Sequence, residues 1–98
     1  MDGLKFEWDA VKRGLNLAKH GVSFEEASSV FYDEAALLID DPEHSLDEAR
    51  FVMLGMSQKA RILVVCHCYR DGEAVIRIIS ARKATRGEME MYVARGEA

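Results

Sequence analysis

The sequence predicts an α+β domain, with two N-terminal helices packed on a mainly antiparallel sheet of about four strands and a C-terminal helix closing the chain. Helical apolar spacing is confined to residues 9–31 and 85–93, and β-rich runs fill 37–81. Between two of those runs stands Asp71-Gly72, a strong short hairpin signal. With 98 residues, 49% hydrophobic and 31% charged, the composition suits a single globular domain over 1–98 with one core.

The elements follow in order. Phe6 and Trp8 alternate with Lys5 and Glu7, a short strand with one aromatic face. Asp9 is placed to cap a first helix, in which Val11, Leu15 and Ala18 recur at helical spacing. Lys12, Arg13, Asn16, Lys19 and His20 occupy the opposite face, and Gly21 ends the helix. Ser23 and Glu26 make a capping box for a second helix, whose buried stripe is Phe24, Ala27, Val30 and Phe31. Leu37–Ile39 reads as a strand ended by the polar turn 40–45, and Phe51–Leu54 as the next, running to Gly55. Arg61–Tyr69 and Ala74–Ala81 then form the hairpin. With a two-residue turn at Asp71-Gly72, His67 faces Ile76 and Arg61 faces Arg82, so Arg61 and Arg82 share one face of the sheet while Arg77 lies on the other. Both faces have apolar centres, so the sheet is expected to be covered on most of both. Thr85 and Glu88 offer a second capping box, before a helix whose inward stripe is Met89, Tyr92 and Val93.

Charge is unevenly distributed. The first 58 residues carry 5 Lys/Arg against 12 Asp/Glu and the last 40 carry 8 against 5, giving a net charge of −4. An acidic front and a mildly basic back is weak support for nucleic-acid binding. No apolar run approaches the ~18 residues of a membrane span, and nothing at the start reads as a secretory signal, so a cytoplasmic protein is the default.

Few residues are suited to chemistry. His20 lies in the last turn of a helix, where a cation also complements the dipole. His44 falls in an acidic turn. His67 points away from Cys66 and Cys68 on its strand, so the three cannot close on one metal, and the cysteines read as core fillers. Asp40, Asp41 and Glu43 lack calcium-loop spacing and read as a solvated turn. Neither metal nor cofactor is expected. Arg77 interrupts an apolar strand, Arg61 opens its neighbour, and Arg82 and Arg86 flank the entrance to the last helix, so the four arginines are expected to converge on one end of the sheet. Such guanidiniums need carboxylate or phosphate partners, and their fork geometry suits both. Phosphate loops and nucleophile elbows are absent.

Several strings are familiar. They are Phe6-Glu7-Trp8-Asp9, Asn16–Ala27 with Lys-His-Gly-Val-Ser-Phe-Glu-Glu-Ala at its centre, and Val30-Phe31. Further on come Asp41-Pro42-Glu43-His44-Ser45, Glu48-Ala49-Arg50, Gly55-Met56-Ser57 and Arg77–Thr85, with Tyr92 beyond. Running in order along nearly the whole chain, they make it resemble the BrnT family, the toxin half of a bacterial type II toxin–antitoxin pair. The resemblance implies a RelE-like fold, RNA cleavage that inhibits translation, and neutralisation by a BrnA-type antitoxin. That partner is a ribbon-helix-helix protein through which alone the pair reaches operator DNA, and a dimer of heterodimers is one assembly open to them.

Such chemistry needs no metal, because RNA carries its own nucleophile in the 2′-hydroxyl. His20 or Lys19 is the candidate for proton transfer, Arg61, Arg77 and Arg82 for the phosphate clamp, and Lys12, Arg86 and Tyr92 for further RNA contact. The closing helix departs from the family habit of several basic residues, holding only Arg86 across 86–91. Weak, salt-sensitive RNA binding follows. The alternative reading is therefore a catalytically degenerate homologue that only binds its antitoxin.

Overall fold

The computed structural model describes residues 3–40 and 48–97. Strand β1 (Lys5–Glu7) leads into helices α1 (Ala10–His20) and α2 (Phe24–Ser29), the latter followed by a 3₁₀ turn over Val30–Tyr32. Strands β2 (Leu37–Asp40), β3 (Phe51–Met56), β4 (Ile62–Arg70) and β5 (Val75–Lys83) follow, and helix α3 (Arg86–Glu97) comes last. This is the expected α+β architecture, with five strands ordered β1-β5-β4-β3-β2. The strand beyond the expected four is β1, which runs parallel to β5 with Glu7 opposite Arg77. Of the expected turn at 40–45, Asp40 is the last residue of β2, and the rest, with Asp41, Glu43 and His44, lies outside the described residues.

The core forms where α2 lies on the sheet. Phe24, Ala27 and Val30 are fully buried against Leu63, Val65, Ile78 and Ala81. The aromatic face of the N-terminal segment closes one side, Phe6 edge-on to Phe31 at 5.5 Å and Trp8 edge-on to Phe24 at 6.0 Å. Gly55 lets β3 pass beneath the 3₁₀ turn: a Cβ there would come within 2.8 Å of Val30 and 2.9 Å of Ala36.

Helix α1 is turned round relative to the sequence expectation. Val11 and Leu15 are 69% and 64% exposed, while Asn16 from the polar face is the buried residue of the helix. The cause is the edge of β5. Strand β1 covers that edge only as far as Arg77, and the Asn16 carboxamide takes over at Ala81. Its Nδ2 donates to Ala81 O at 2.8 Å, and its Oδ1 accepts from Ala81 N at 3.1 Å. A further Nδ2 bond to Val22 O, at 2.9 Å, ties in the turn after the helix. One amide thus satisfies buried backbone groups as a neighbouring strand would. Helix α3 also differs: Met89 and Val93 are exposed and only Tyr92 is half-buried, its hydroxyl donating to Asp33 Oδ2 at 2.6 Å. That bond pushes the Tyr92 phenol up to about 12.

The β4–β5 register corrects the expected one. The loop is four residues, 71–74, with Asp71, Gly72 and Glu73 all at positive φ, so His67 faces Ile78 and Tyr69 faces Ile76. A bulge then leaves Ile79 unpaired between Ile78, opposite His67, and Ser80, opposite Cys66. Beyond it the faces exchange. Ala81 joins Leu63 and Val65 in the core, and Arg82 pairs with Val64 on the opposite face. Arg61 and Arg82 therefore do not share a face, and Arg82 lies on the same side as Arg77. On the face of Val64, Cys66 and Arg82 the cover is incomplete and leaves an open concavity.

His67 is fully buried among Phe31, Phe51 and Tyr69. Nδ1 lies 3.1 Å from Val65 O, which can only accept, so Nε2 accepts from the Tyr69 hydroxyl at 3.2 Å. Burial lowers the imidazole pKa below its ordinary 6.5.

Two outcomes are expected. Asn16→Ala strands Ala81 N and O, which costs about 2–3 kcal/mol. Its thermal melt should lie roughly 10–20 °C below wild type. For His67 the folded pKa is depressed, so its contribution is fully present above pH 6.5 and lost as pH falls from there. Denaturant titrations of wild type and His67→Phe between pH 5 and 7.5 should show that portion of the decline missing in the variant, at most about 1.4 kcal/mol per pH unit.

Candidate functional site

Helix α1 ends at His20 because Gly21 takes the left-handed conformation, φ 69°, and returns its N–H to Leu17 O at 2.9 Å. His20 lies one helical turn beyond Asn16, on the same side of α1. Ser80 and Arg82 flank Ala81, the residue that Asn16 grips. The Asn16–Ala81 bonds therefore bring the end of α1 to the end of β5. There, His20, Arg50, Ser80 and Arg82 stand around a concavity of about 310 Å³ with an apolar floor that includes Val52, Val64 and Cys66.

Arg82 is aimed by α3. Its Nη1 and Nη2 donate to the two oxygens of Glu88 at 2.8 and 2.9 Å. Glu88 also completes the expected capping box, accepting from Thr85 N at 2.8 Å while its own N–H donates to Thr85 Oγ1 at 3.2 Å. Chiefly through Arg82, the Glu88 carboxyl falls to about 2. The fork on Glu88 fixes the guanidinium plane, and among the described residues no bond engages Nε–H. Arg82 can thus be held by a carboxylate and still offer donors to an anion.

The other candidates are dispersed. Arg61 is on the α2 side of the sheet, where Nε donates to Glu26 Oε2 at 2.9 Å and Nη2 bonds both Glu26 Oε1 and, at 3.1 Å, Gly21 O. Glu26 is 1% exposed, and with Arg61 as main cause and the Ser57 hydroxyl at 2.7 Å its pKa lies below the usual range. The expected capping box at Ser23 is accordingly half made. Ser23 Oγ accepts from Glu26 N at 3.0 Å, but the Glu26 carboxylate turns to Arg61. Arg77 donates to Glu7 at 2.7 Å beside Arg70, which pairs with Glu48. Lys12 and Lys19 are exposed on α1, and Arg86 is 92% exposed beside Glu90. The expected convergence of arginines at one sheet end does not occur.

Sequence reasoning passed over two contributors. Arg50 stands in the sequence only within the string Glu48-Ala49-Arg50, and its place immediately before β3 brings it to the concavity. Ser80 reaches the same spot through the bulge at Ile79, which no pattern in the sequence announces.

Comparison with known proteins identifies the family and the fold. Residues 8–88 match the family model described as the ribonuclease toxin, BrnT, of type II toxin–antitoxin systems. A 1.1 Å crystal structure of the Brucella abortus ribonuclease toxin BrnT aligns at a TM-score of 0.65 and 26% identity, covering 86% of this chain and all of that one. No curated protein matches in sequence. The class is thus that of small α+β toxins whose partners are antitoxins. The chain belongs to the BrnT family.

Acid should expose the Arg82–Glu88 contact. A depressed carboxyl contributes stability present above its ordinary 4.5 and lost as pH falls through about 2. Thermal melts of wild type should decline over that window, and Glu88→Gln should decline less.

Proposed function

We propose that the chain is a metal-independent endoribonuclease whose cleavage of RNA inhibits translation, and that a BrnA-type ribbon-helix-helix antitoxin neutralises it. Family membership supports the ribonuclease class. The observation that carries the site is that His20 shares one concavity with Arg50 and Arg82.

RNA phosphate lies against Arg82 and Arg50, whose cations offset the charge that gathers as the 2′-oxygen attacks phosphorus. A base accepts the 2′-hydroxyl proton, the P–O5′ bond breaks, and the 5′-oxygen takes up a proton. The products are a 2′,3′-cyclic phosphate and a 5′-hydroxyl. His20 carries the proton, since an imidazole both accepts and donates near neutral pH. Lys19 is exposed on α1 and does not line the concavity. Arg61 acts from behind, its bond to Gly21 O holding the turn that ends α1 at His20. Lys12, Arg86 and Tyr92 are left to longer-range or structural roles.

The alternative, a toxin homologue that binds its antitoxin without cutting, draws on one observation. Glu88 offsets the charge of Arg82 beside the site.

Purified, antitoxin-free protein incubated with RNA in EDTA should leave 2′,3′-cyclic phosphate ends. His20→Ala and Arg82→Ala should each lose ~10²–10³ in rate. Arg77→Ala, which removes a half-exposed pair with Glu7, should stay within about tenfold of wild type and lose at most about 1 kcal/mol of stability. Intact RNA across buffers and salt levels would favour the alternative. Arg77→Ala slower than Arg82→Ala would move the phosphate site to the hairpin end of the sheet.

A further inference from the structure

The inverted setting of α1 leaves an apolar face exposed, with none of the described residues packed over it. Val11, Leu15 and Leu17 are 69%, 64% and 43% exposed, and Ala10, Gly14 and Ala18 lie exposed among them. Residues 11, 14, 15 and 18 follow the i, i+3, i+4, i+7 spacing of a helix-packing stripe. In a soluble domain such a stripe normally faces the core, yet here the core side is taken by Asn16. Gly14 adds a second observation. A mid-helix glycine is destabilising relative to alanine, and nothing within 4 Å of a Cβ at Gly14 gives this chain a packing reason for it. A glycine at this position leaves room for another backbone to come close.

The charges at the edges say what kind of occupant fits. Lys12 and Lys19, seven residues and two turns apart, line one edge, and neither has an acidic partner among the described residues. The other edge is closed by Arg13, already held on Glu25 at 2.9 Å. A second copy of this chain fits poorly, because antiparallel pairing of two α1 helices about Gly14 sets Lys12 of one near Lys19 of the other. An amphipathic helix with acidic residues seven apart along one edge matches both the stripe and the lysines.

We infer that the outward face of α1 is the antitoxin-docking surface, and that the occupant is an amphipathic antitoxin helix whose acidic edge meets Lys12 and Lys19. This rests on the toxin reading above.

The test uses full-length chain and the antitoxin encoded beside its gene. Leu15→Glu places an acidic group in the exposed stripe and should weaken binding by about 30-fold or more, as for a buried interface anchor. The free variant should keep the RNA cleavage rate and melting temperature of wild type. Gly14→Leu, which improves the helix, should raise the melting temperature and still weaken antitoxin binding. Variants that bind within threefold of wild type overturn the assignment. A wild-type dimer that Leu15→Glu converts to monomers gives the face to a second copy instead. Weakened RNA binding with antitoxin binding intact gives it to RNA. If the wild type itself does not bind that antitoxin, the toxin–antitoxin reading fails first, and the docking face with it.

Discussion

The bidentate grip of Asn16 on Ala81 is the contact on which the rest of the molecule turns. It finishes the edge of β5 where β1 leaves off, and so fixes how α1 is rotated about its axis. That rotation sends the polar side of the helix inward and the Val11–Leu15 stripe outward. It also sets His20 beside Arg82, because each lies a short step along its own element from the gripped pair. A single carboxamide thereby couples sheet closure, the site and the outward face.

The ion pairs divide into two kinds. Arg61 and Glu26 are partly or wholly buried and share Ser57, so removing one leaves a stranded charge in the core. Their part in the site is indirect, through Gly21 O. The Glu7, Arg77, Arg70 and Glu48 group sits half-exposed at the hairpin end, where such pairs contribute little to stability. Arg82 stands between these cases. Glu88 orients it and caps α3 at once, so the start of the last helix and the proposed phosphate contact are built together.

Much of this was legible in the sequence. The period-two and helical patterns located every strand and helix, and Asp9, Gly21 and the Thr85–Glu88 capping box marked ends that the structure keeps. Hydrophobic spacing misled at α1 and α3, since it reports which face prefers burial and not whether burial occurs within the same chain. Register was lost at the hairpin, because Asp71-Gly72 fits both a two-residue and a four-residue loop. The bulge at Ile79 then exchanged the faces of Ala81 and Arg82. His20 and Arg82 were readable as residue types, but their meeting depends on a tertiary bond between positions 65 residues apart.

The account's central claim is that one anion site joins His20 to Arg82. The direct measurement is an NMR titration of the full chain with a dinucleotide whose 2′-hydroxyl is blocked, following imidazole and guanidinium signals. The expected result is that His20, Arg50 and Arg82 move together along one binding curve while Arg61 and Arg77 stay still, and that Asn16→Ala weakens the curve. Saturable shifts at Arg77 or Arg61 with His20 unmoved would contradict it.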